Sequence, residues 1–145
     1  MKAIRSFKGK NYFLSNFYPC DIEYEGRHYA SVECAYQAAK TLDDNVRYRF
    51  TMSSSVEAKR LGRRVQLRDN WDTIKYNIMY ELLKLKFKNK ELKSKLLSTG
   101  DAYLEEGNYW NDRYWGVCRG EGQNNLGKLL MVVRAELSAD SWKIQ

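Results

Sequence analysis

Residues 70–87, Asn-Trp-Asp-Thr-Ile-Lys-Tyr-Asn-Ile-Met-Tyr-Glu-Leu-Leu-Lys-Leu-Lys-Phe, decide the fold class of this chain. Trp71, Ile74, Ile78, Leu82 and Leu85 recur at steps of three and four, which places them on one stripe of an α-helix. Asp69 or Asn70 is positioned to cap its start, and Asn89 to cap a following helix that runs to Leu97 and stops at Ser98-Thr99-Gly100. Further along, Leu126, Leu129, Leu130, Val133 and Leu137 mark one face of a final helix. Upstream, Ser54-Ser55-Val56-Glu57 has capping-box spacing for a helix that ends near Leu61-Gly62, leaving Arg63 and Arg64 where a helix favours cations. Another helical stretch falls near Asp43 to Thr51. The first thirty residues read as extended or irregular, except that Asp21 to Tyr29 reads as two short strands turning at Glu25-Gly26. The expected fold is mainly α, α+β only through a minor N-terminal hairpin. Without repeats or a linker, a compact single domain over residues 1–145 is expected.

Between the hairpin and these helices lies Ser31-Val-Glu-Cys-Ala-Tyr-Gln-Ala-Ala-Lys40. With Ser31 as N-cap, a helix here would align Glu33, Gln37 and Lys40 on one side, flanked by Tyr36. Glu33 then occupies the first turn, where exposed N–H groups and the dipole favour an ionised carboxylate. That state suits a base or a cation stabiliser better than a proton donor. The same spacing also fits a capping-type Glu and a solvated Lys, the use most such charges have.

Composition bounds the partners. The net charge of +7 and a pI near 9.3 imply attraction to phosphate, whether in a nucleotide, a phosphosugar or a nucleic acid. Lys84 to Lys95 carries much of the excess, but only Phe87 interrupts its lysines with an aromatic ring, so it reads as a solvated face without a base-stacking platform. No apolar run is long enough to span a bilayer and the N-terminus lacks a signal-peptide core, so a cytoplasmic protein with no membrane partner is expected. Cys20, Cys34 and Cys118 form no close pair. They fit neither a disulfide framework nor a zinc site, and the carboxylates show no ligand spacing; no metal and no other cofactor is expected. Aromatic residues, 14% of the chain, gather at Tyr12 to Tyr29 and Tyr103 to Trp115, which suggests a pocket for a planar ligand. His28, the one histidine, reads as a strand-end or solvent-facing residue.

Chemistry concentrates in Phe13 to Phe17, Glu33 to Lys40 and Asn108 to Trp115. Asn111-Asp112 offers a second carboxylate beside Trp115, although Asn-Asp also suits an ordinary turn. Gly120 and Gly122, leading into Asn124 and the last helix, are placed to cradle a phosphate on backbone N–H groups.

In order and spacing these segments resemble the NADAR family of YbiA-like N-glycosidases over nearly the whole chain. The resemblance is carried by Phe13-Leu-Ser-Asn16-Phe17-Tyr-Pro, Ser31-Val-Glu33 with Gln37 and Lys40, Ala58 with Leu61-Gly62-Arg63, and Trp71 with Lys75 and Met79. It continues through Lys86-Phe87, Asn111-Asp112 with Tyr114-Trp115-Gly116, and Gly122 with Asn124, Leu126-Gly127 and Leu129-Leu-Met131. It implies a mainly helical fold and hydrolysis of the N-glycosidic bond between a ribose phosphate, or ADP-ribose, and a nitrogenous base or amine. Ribosylamino-pyrimidine intermediates of riboflavin synthesis and ADP-ribosylated guanine are the substrate types implied, with nucleic acid as a carrier of the modified base. The family's essential carboxylate falls on Glu33 and its acidic–aromatic pair on Asp112 and Trp115. Many members carry His after the Glu, whereas this chain has Cys34-Ala35, so a proton-shuttling role for that His does not transfer.

These residues define the expected site. Glu33 would stabilise the sugar cation or orient water. Trp115 would stack on the base, and Asp112 or Asn111 would bond its edge or the ribose hydroxyls. Arg63 would clamp phosphate through its guanidinium fork. Lys40 would either hold charge or, if neutral, form a Schiff base with the opened sugar. Asn16, Phe17, Gln37, Gly116 and Asn124 complete the substrate-binding set. Two other classes stay open: a module that binds ADP-ribose or a nucleotide without cleaving it, and a basic nucleic-acid-binding domain.

Overall fold

The apolar steps of residues 70–87 form a helix in the computed structural model, which describes residues 2–144. In chain order the elements are β1 (Ala3–Ile4), a 3-10 helix (Gly9–Leu14), β2 (Ile22–Tyr24), β3 (Arg27–Tyr29), α1 (Val32–Ala38), α2 (Asp44–Thr51) and α3 (Ser55–Gly62). There follow α4 (Trp71–Lys86), α5 (Lys90–Ser98), β4 (Tyr103–Leu104), β5 (Gly107–Asn108), β6 (Val117–Cys118) and α6 (Asn125–Ile144). The architecture is mainly α, as expected. Among the described residues no helix is long and apolar enough to cross a membrane.

Two compact units are present, Asn16–Lys86 and the paired segments Met1–Ser15 with Phe87–Gln145. In the first, α1 is the hub: all seven of its residues are buried, and it packs on α2, α3, α4, β2 and β3. Ser31, with extended backbone, starts it by accepting the Cys34 N–H at 3.2 Å. Asp43 caps α2 through the Asn45 and Val46 N–H groups, and Ser54 and Glu57 close the capping box of α3. Each such cap satisfies donors that the helix itself leaves open. The β2–β3 hairpin turns at Glu25 (φ 47°) and Gly26 (φ 83°), the pair of left-handed residues that a two-residue turn needs to match strand twist.

The second unit gathers Leu92 and Leu96 of α5 with Leu126, Leu129, Leu130 and Val133 of α6. α5 packs on the 3-10 helix and α6, and α6 on β4. Asn89 caps α5 through the Leu92 N–H at 3.0 Å. Gly100 (φ 63°) ends it, one residue later than the apolar pattern suggests.

Four readings are corrected. Residues 9–14 are not irregular but a 3-10 helix that buries Phe13 and Leu14, too short to leave a periodic signal. Strands β1 and β4 pair in parallel, as do β5 and β6, and two-residue strands show no alternation to read. α1 stops at Ala38, so Lys40 lies in the turn beyond it, its N–H on the Gln37 carbonyl. Lys86, read as part of a solvated face, is 2% exposed on the buried side of α4.

Candidate functional site

The geometry of α1 follows from its register. Glu33 and Gln37 stand one turn apart on one face, and Gln37 Nε2 donates to Glu33 Oε1 at 3.1 Å. Both side chains are buried, at 7% and 5% exposure, so this is an interior pair rather than a solvated one. Room for it comes from α3. A Cβ on Gly62 would overlap Gln37 Oε1 and lie 2.6 Å from Cδ; only glycine lets the amide lie there. The Glu33 N–H donates to the Asn16 carbonyl at 3.0 Å, which brings the buried Asn16 side chain to the start of the helix. Asn16 Nδ2 donates to Met79 Sδ at 3.5 Å. Among the described residues, Asn16 Oδ1 and Gln37 Oε1 are buried without a hydrogen-bond partner. A buried amide oxygen left so costs about 1–3 kcal/mol, so each such group calls for an explanation.

Around this pair the field is cationic. Burial pushes the Lys40 amine below the ordinary lysine range. Glu33 opposes that shift, while Lys75, Arg63 and Lys59 reinforce it. Four cations therefore act on one another near Glu33, of which Lys75 also donates to Asp72 Oδ1 at 3.0 Å. Lys40 Nζ also lies 5.9 Å from the ring centre of Tyr36, which packs tilted on Trp71 at 5.3 Å, and Lys59 Nζ lies 5.6 Å from the half-buried ring of Phe17. Arg63 is exposed at the C-cap of α3. Gly62, Lys59 and Lys75 were not singled out as site residues. Gly62, a helix end, and Lys75 enter the sequence reading only among the residues that carry the family resemblance, and no sequence signal marks Lys59.

Cys34, next to Glu33 in sequence, turns its thiol to backbone and a hydroxyl. Its thiol donates to the Ser53 carbonyl at 3.3 Å and accepts from Ser31 Oγ at 3.3 Å. Burial raises its pKa, so it stays a thiol. His28 is exposed on β3, bonded to Asp21 at 2.9 Å.

In the other unit, Asp112 and Trp115 belong to one tight loop. Asp112 Oδ1 accepts the Trp115 N–H at 2.9 Å and the Tyr114 N–H at 3.2 Å. Asn108 braces the loop from below, accepting the Asp112 N–H and donating to its carbonyl. Asp112 therefore acts first on the backbone that presents Trp115. The half-buried indole of Trp115 meets Tyr114 edge-on, with ring centres 4.7 Å apart. Asn111, at φ 70°, is exposed at the turn. Gly116 is required by close packing, since a Cβ there would overlap the Glu106 carboxylate. Asn124 is buried and structural in its contacts: Oδ1 accepts the Glu106 N–H at 2.9 Å, and Nδ2 donates to the Leu104 carbonyl at 2.9 Å.

The N–H groups leading into α6, part of the expected phosphate cradle, have partners within the chain. The N–H groups of Gln123, Asn124, Asn125 and Leu126 donate to the carbonyls of Arg113, Gly116, Tyr114 and Trp115. Those donors are not open to an anion. Gly122 (φ 151°) instead packs where a Cβ would overlap the Gly116 carbonyl. The thiols of Cys20, Cys34 and Cys118 are all free, and among the described residues no three His, Cys, Asp or Glu side chains gather as a metal site would require.

Comparison with known proteins adds independent findings. Residues 5–138 match the NADAR domain model. The chain is 38% identical over 132 residues to the N-glycosidase YbiA of Escherichia coli, covering 88% of this chain and 82% of that protein. It is 37% identical to an N-glycosidase of Nostoc punctiforme, with 86% and 84% covered. A riboflavin biosynthesis protein of Vibrio vulnificus is 38% identical over 130 residues, and there the chain spans only 35% of the relative's length. The NMR structure of E. coli YbiA superposes with a TM-score of 0.86 over 98% of this chain and 89% of that one, at 34% identity.

Proposed function

The chain belongs to the NADAR domain family, and on that premise we propose that it hydrolyses the N-glycosidic bond of a phosphorylated ribosylamine, with Glu33 at the reacting carbon. The observation that carries this reading is the buried Glu33–Gln37 pair set among Lys40, Lys59, Arg63 and Lys75. It combines one oriented carboxylate with a field that suits phosphate.

Breaking the bond from C1′ to nitrogen leaves positive charge on C1′ and the ring oxygen, while the nitrogen keeps the electron pair. A fixed carboxylate beside C1′ stabilises that cation with no reorganisation at the moment of reaction, an effect worth about 10²–10³ in rate for one preorganised group. Gln37 holds Glu33 Oε1 in place. Water then bonds to C1′, its proton passes by way of Glu33, and the departing nitrogen leaves protonated. The four cations bind the substrate's phosphate. Asn16 Oδ1, buried and without a partner among the described residues, is an acceptor for a substrate hydroxyl or amine. Phe17, in the same unit as Glu33, offers a ring for the substrate; in the other unit Asp112 orders the turn that presents Trp115.

Burial of Lys40 favours a second route. A neutral Lys40 amine attacks C1′ of the ring-opened imine, expels the substrate nitrogen and forms a Schiff base, which water hydrolyses to free ribose phosphate and the restored amine. Neither route calls on a metal. Ribosylamino-pyrimidine phosphates and ADP-ribosylated guanine, free or in nucleic acid, are the substrates to try.

The test is to incubate wild type and Glu33→Gln with each compound and follow release of ribose phosphate, ADP-ribose or free base. Wild type should turn over at least one of them. Glu33→Gln should lose about a hundredfold or more in kcat with KM changed only a few-fold. Binding without turnover by the wild type would sink the hydrolase and leave a non-catalytic reader of the same ligand.

A further inference from the structure

A concave site lies in the Asn16–Lys86 unit. A cavity of about 580 Å³ opens between α2 and the segment joining α3 to α4, and its lining includes Arg49, Arg64 and Arg68 with Leu42, Val65 and Leu67. Neither Glu33 nor Gln37 lines it. Asp43 and Asp69 also border it, but Asp43 Oδ1 is taken by the first N–H groups of α2. Among the described residues, the side chains of Arg49 and Arg64 have no hydrogen-bond or ion-pair partner.

Three guanidiniums outnumber the two carboxylates around this cavity, and the net positive charge attracts an anion. Their planar forks match phosphate oxygens. Inorganic phosphate alone would leave most of the space unfilled, because the volume falls within the roughly 300–1,000 Å³ of small-molecule sites. Among these polar groups Leu42 and Leu67 stand exposed, at 66% and 51%. Those side chains are placed to cover a flat or aliphatic body. We propose that this groove binds a phosphomonoester carried on such a body, a ligand the size of a nucleoside monophosphate, at a place separate from Glu33.

The groove also touches the turn that holds Lys40. Arg68 N–H donates to the Lys40 carbonyl at 2.8 Å, and Arg68 Nη1 to the Ala39 carbonyl at 3.4 Å. Occupancy thus acts directly on the backbone of a residue in the proposed centre. The phosphate can arrive as the distal part of a long substrate that also reaches Glu33, or on a separate molecule.

Calorimetry of the full chain at low ionic strength, with AMP and with inorganic phosphate as probes, tests the proposal. AMP should bind, phosphate should bind more weakly, and Arg49→Gln/Arg64→Gln should weaken AMP at least tenfold. The surface control Lys88→Gln/Lys90→Gln should leave AMP affinity unchanged. Both arginines are exposed, so far-UV circular dichroism should match wild type. Equal AMP affinity in the arginine variant, or no heat from either probe, would overturn the site. AMP binding is read as heat without any turnover, and its dependence on Arg49 and Arg64 stands or fails whether or not the hydrolase reading does. In wild type, AMP that raises KM alone identifies the distal part of a substrate, and AMP that leaves KM unchanged identifies a separate ligand.

Discussion

Gly62→Ala tests the centre without touching any charged group. Gly62 has no left-handed backbone angle, and alanine is preferred to glycine in a helix by up to about 1 kcal/mol, less at this last residue of α3, so the backbone itself does not oppose the change. The added Cβ, however, occupies the place of Gln37 Oε1. The atom in the way is the end of a side chain, so the amide swings aside and the helix stays. What is lost is the 3.1 Å hydrogen bond from Gln37 Nε2 to Glu33. Hydrogen bonds to charged groups contribute about 1.5–3 kcal/mol. Set against the helix gain, folding stability should fall by only about 1 kcal/mol, whereas kcat should fall by about ten- to a hundredfold with KM nearly constant. Steady-state release of product, measured for Gly62→Ala, Gln37→Ala and the double variant, isolates the cause. In the Gln37→Ala background the alanine at 62 meets no amide and should cost little more. Full kcat in Gly62→Ala, or an equal loss in both backgrounds, would refute the argument that Gly62 acts through Gln37.

Two further outcomes are expected. Because burial lowers the Lys40 pKa, its neutral amine appears below the ordinary lysine range, so on the Schiff-base route kcat rises with pH through that region and borohydride with substrate traps an adduct on residue 40. Lys40→Arg should abolish both, and the absence of any adduct in wild type removes that route. Burial brings the Lys86 pKa from 10.5 to about 8, so between those values the unfolded chain binds more protons than the native one, and stability rises with pH across that window by up to about 3 kcal/mol. Thermal unfolding of Lys86→Met from pH 7 to 10.5 should lack that rise; an identical slope in both proteins would show that the amine keeps its water.

The hairpin and the helices were legible because their signals are local: Glu25-Gly26 supplies two left-handed residues, Ser31, Asp43, Ser54 and Asn89 supply caps, and residues 71–85 supply a period. That Glu33 and Gln37 share one face was legible for the same reason, since a one-turn separation fixes which side chains can meet; the hydrogen bond between them was not. Lys40 shows where that arithmetic ends, because it assumes a helix that stops two residues earlier. Lys86 was misread because one buried amine within a lysine-rich run looks like its neighbours, and only packing distinguishes it. The engagement of the N–H groups leading into α6 has a tertiary cause: these donors looked available until the carbonyls of residues 113–116 were seen to occupy them. Gly62 was hidden because its role is to leave space for a side chain on another helix.

Those four carbonyls on α6 also bear on how the family can diversify. One inserted or deleted residue between Asp112 and Gly116 would shift every carbonyl against its donor, so loop length there is fixed by the helix. Asn108 and Asp112, by contrast, clasp each other across a three-residue tip whose Tyr109 and Trp110 are 77% and 46% exposed. Evolution or an engineer can lengthen or recompose that tip, and so alter what the loop greets in solvent, while the clasp keeps the indole at 115 on its mount.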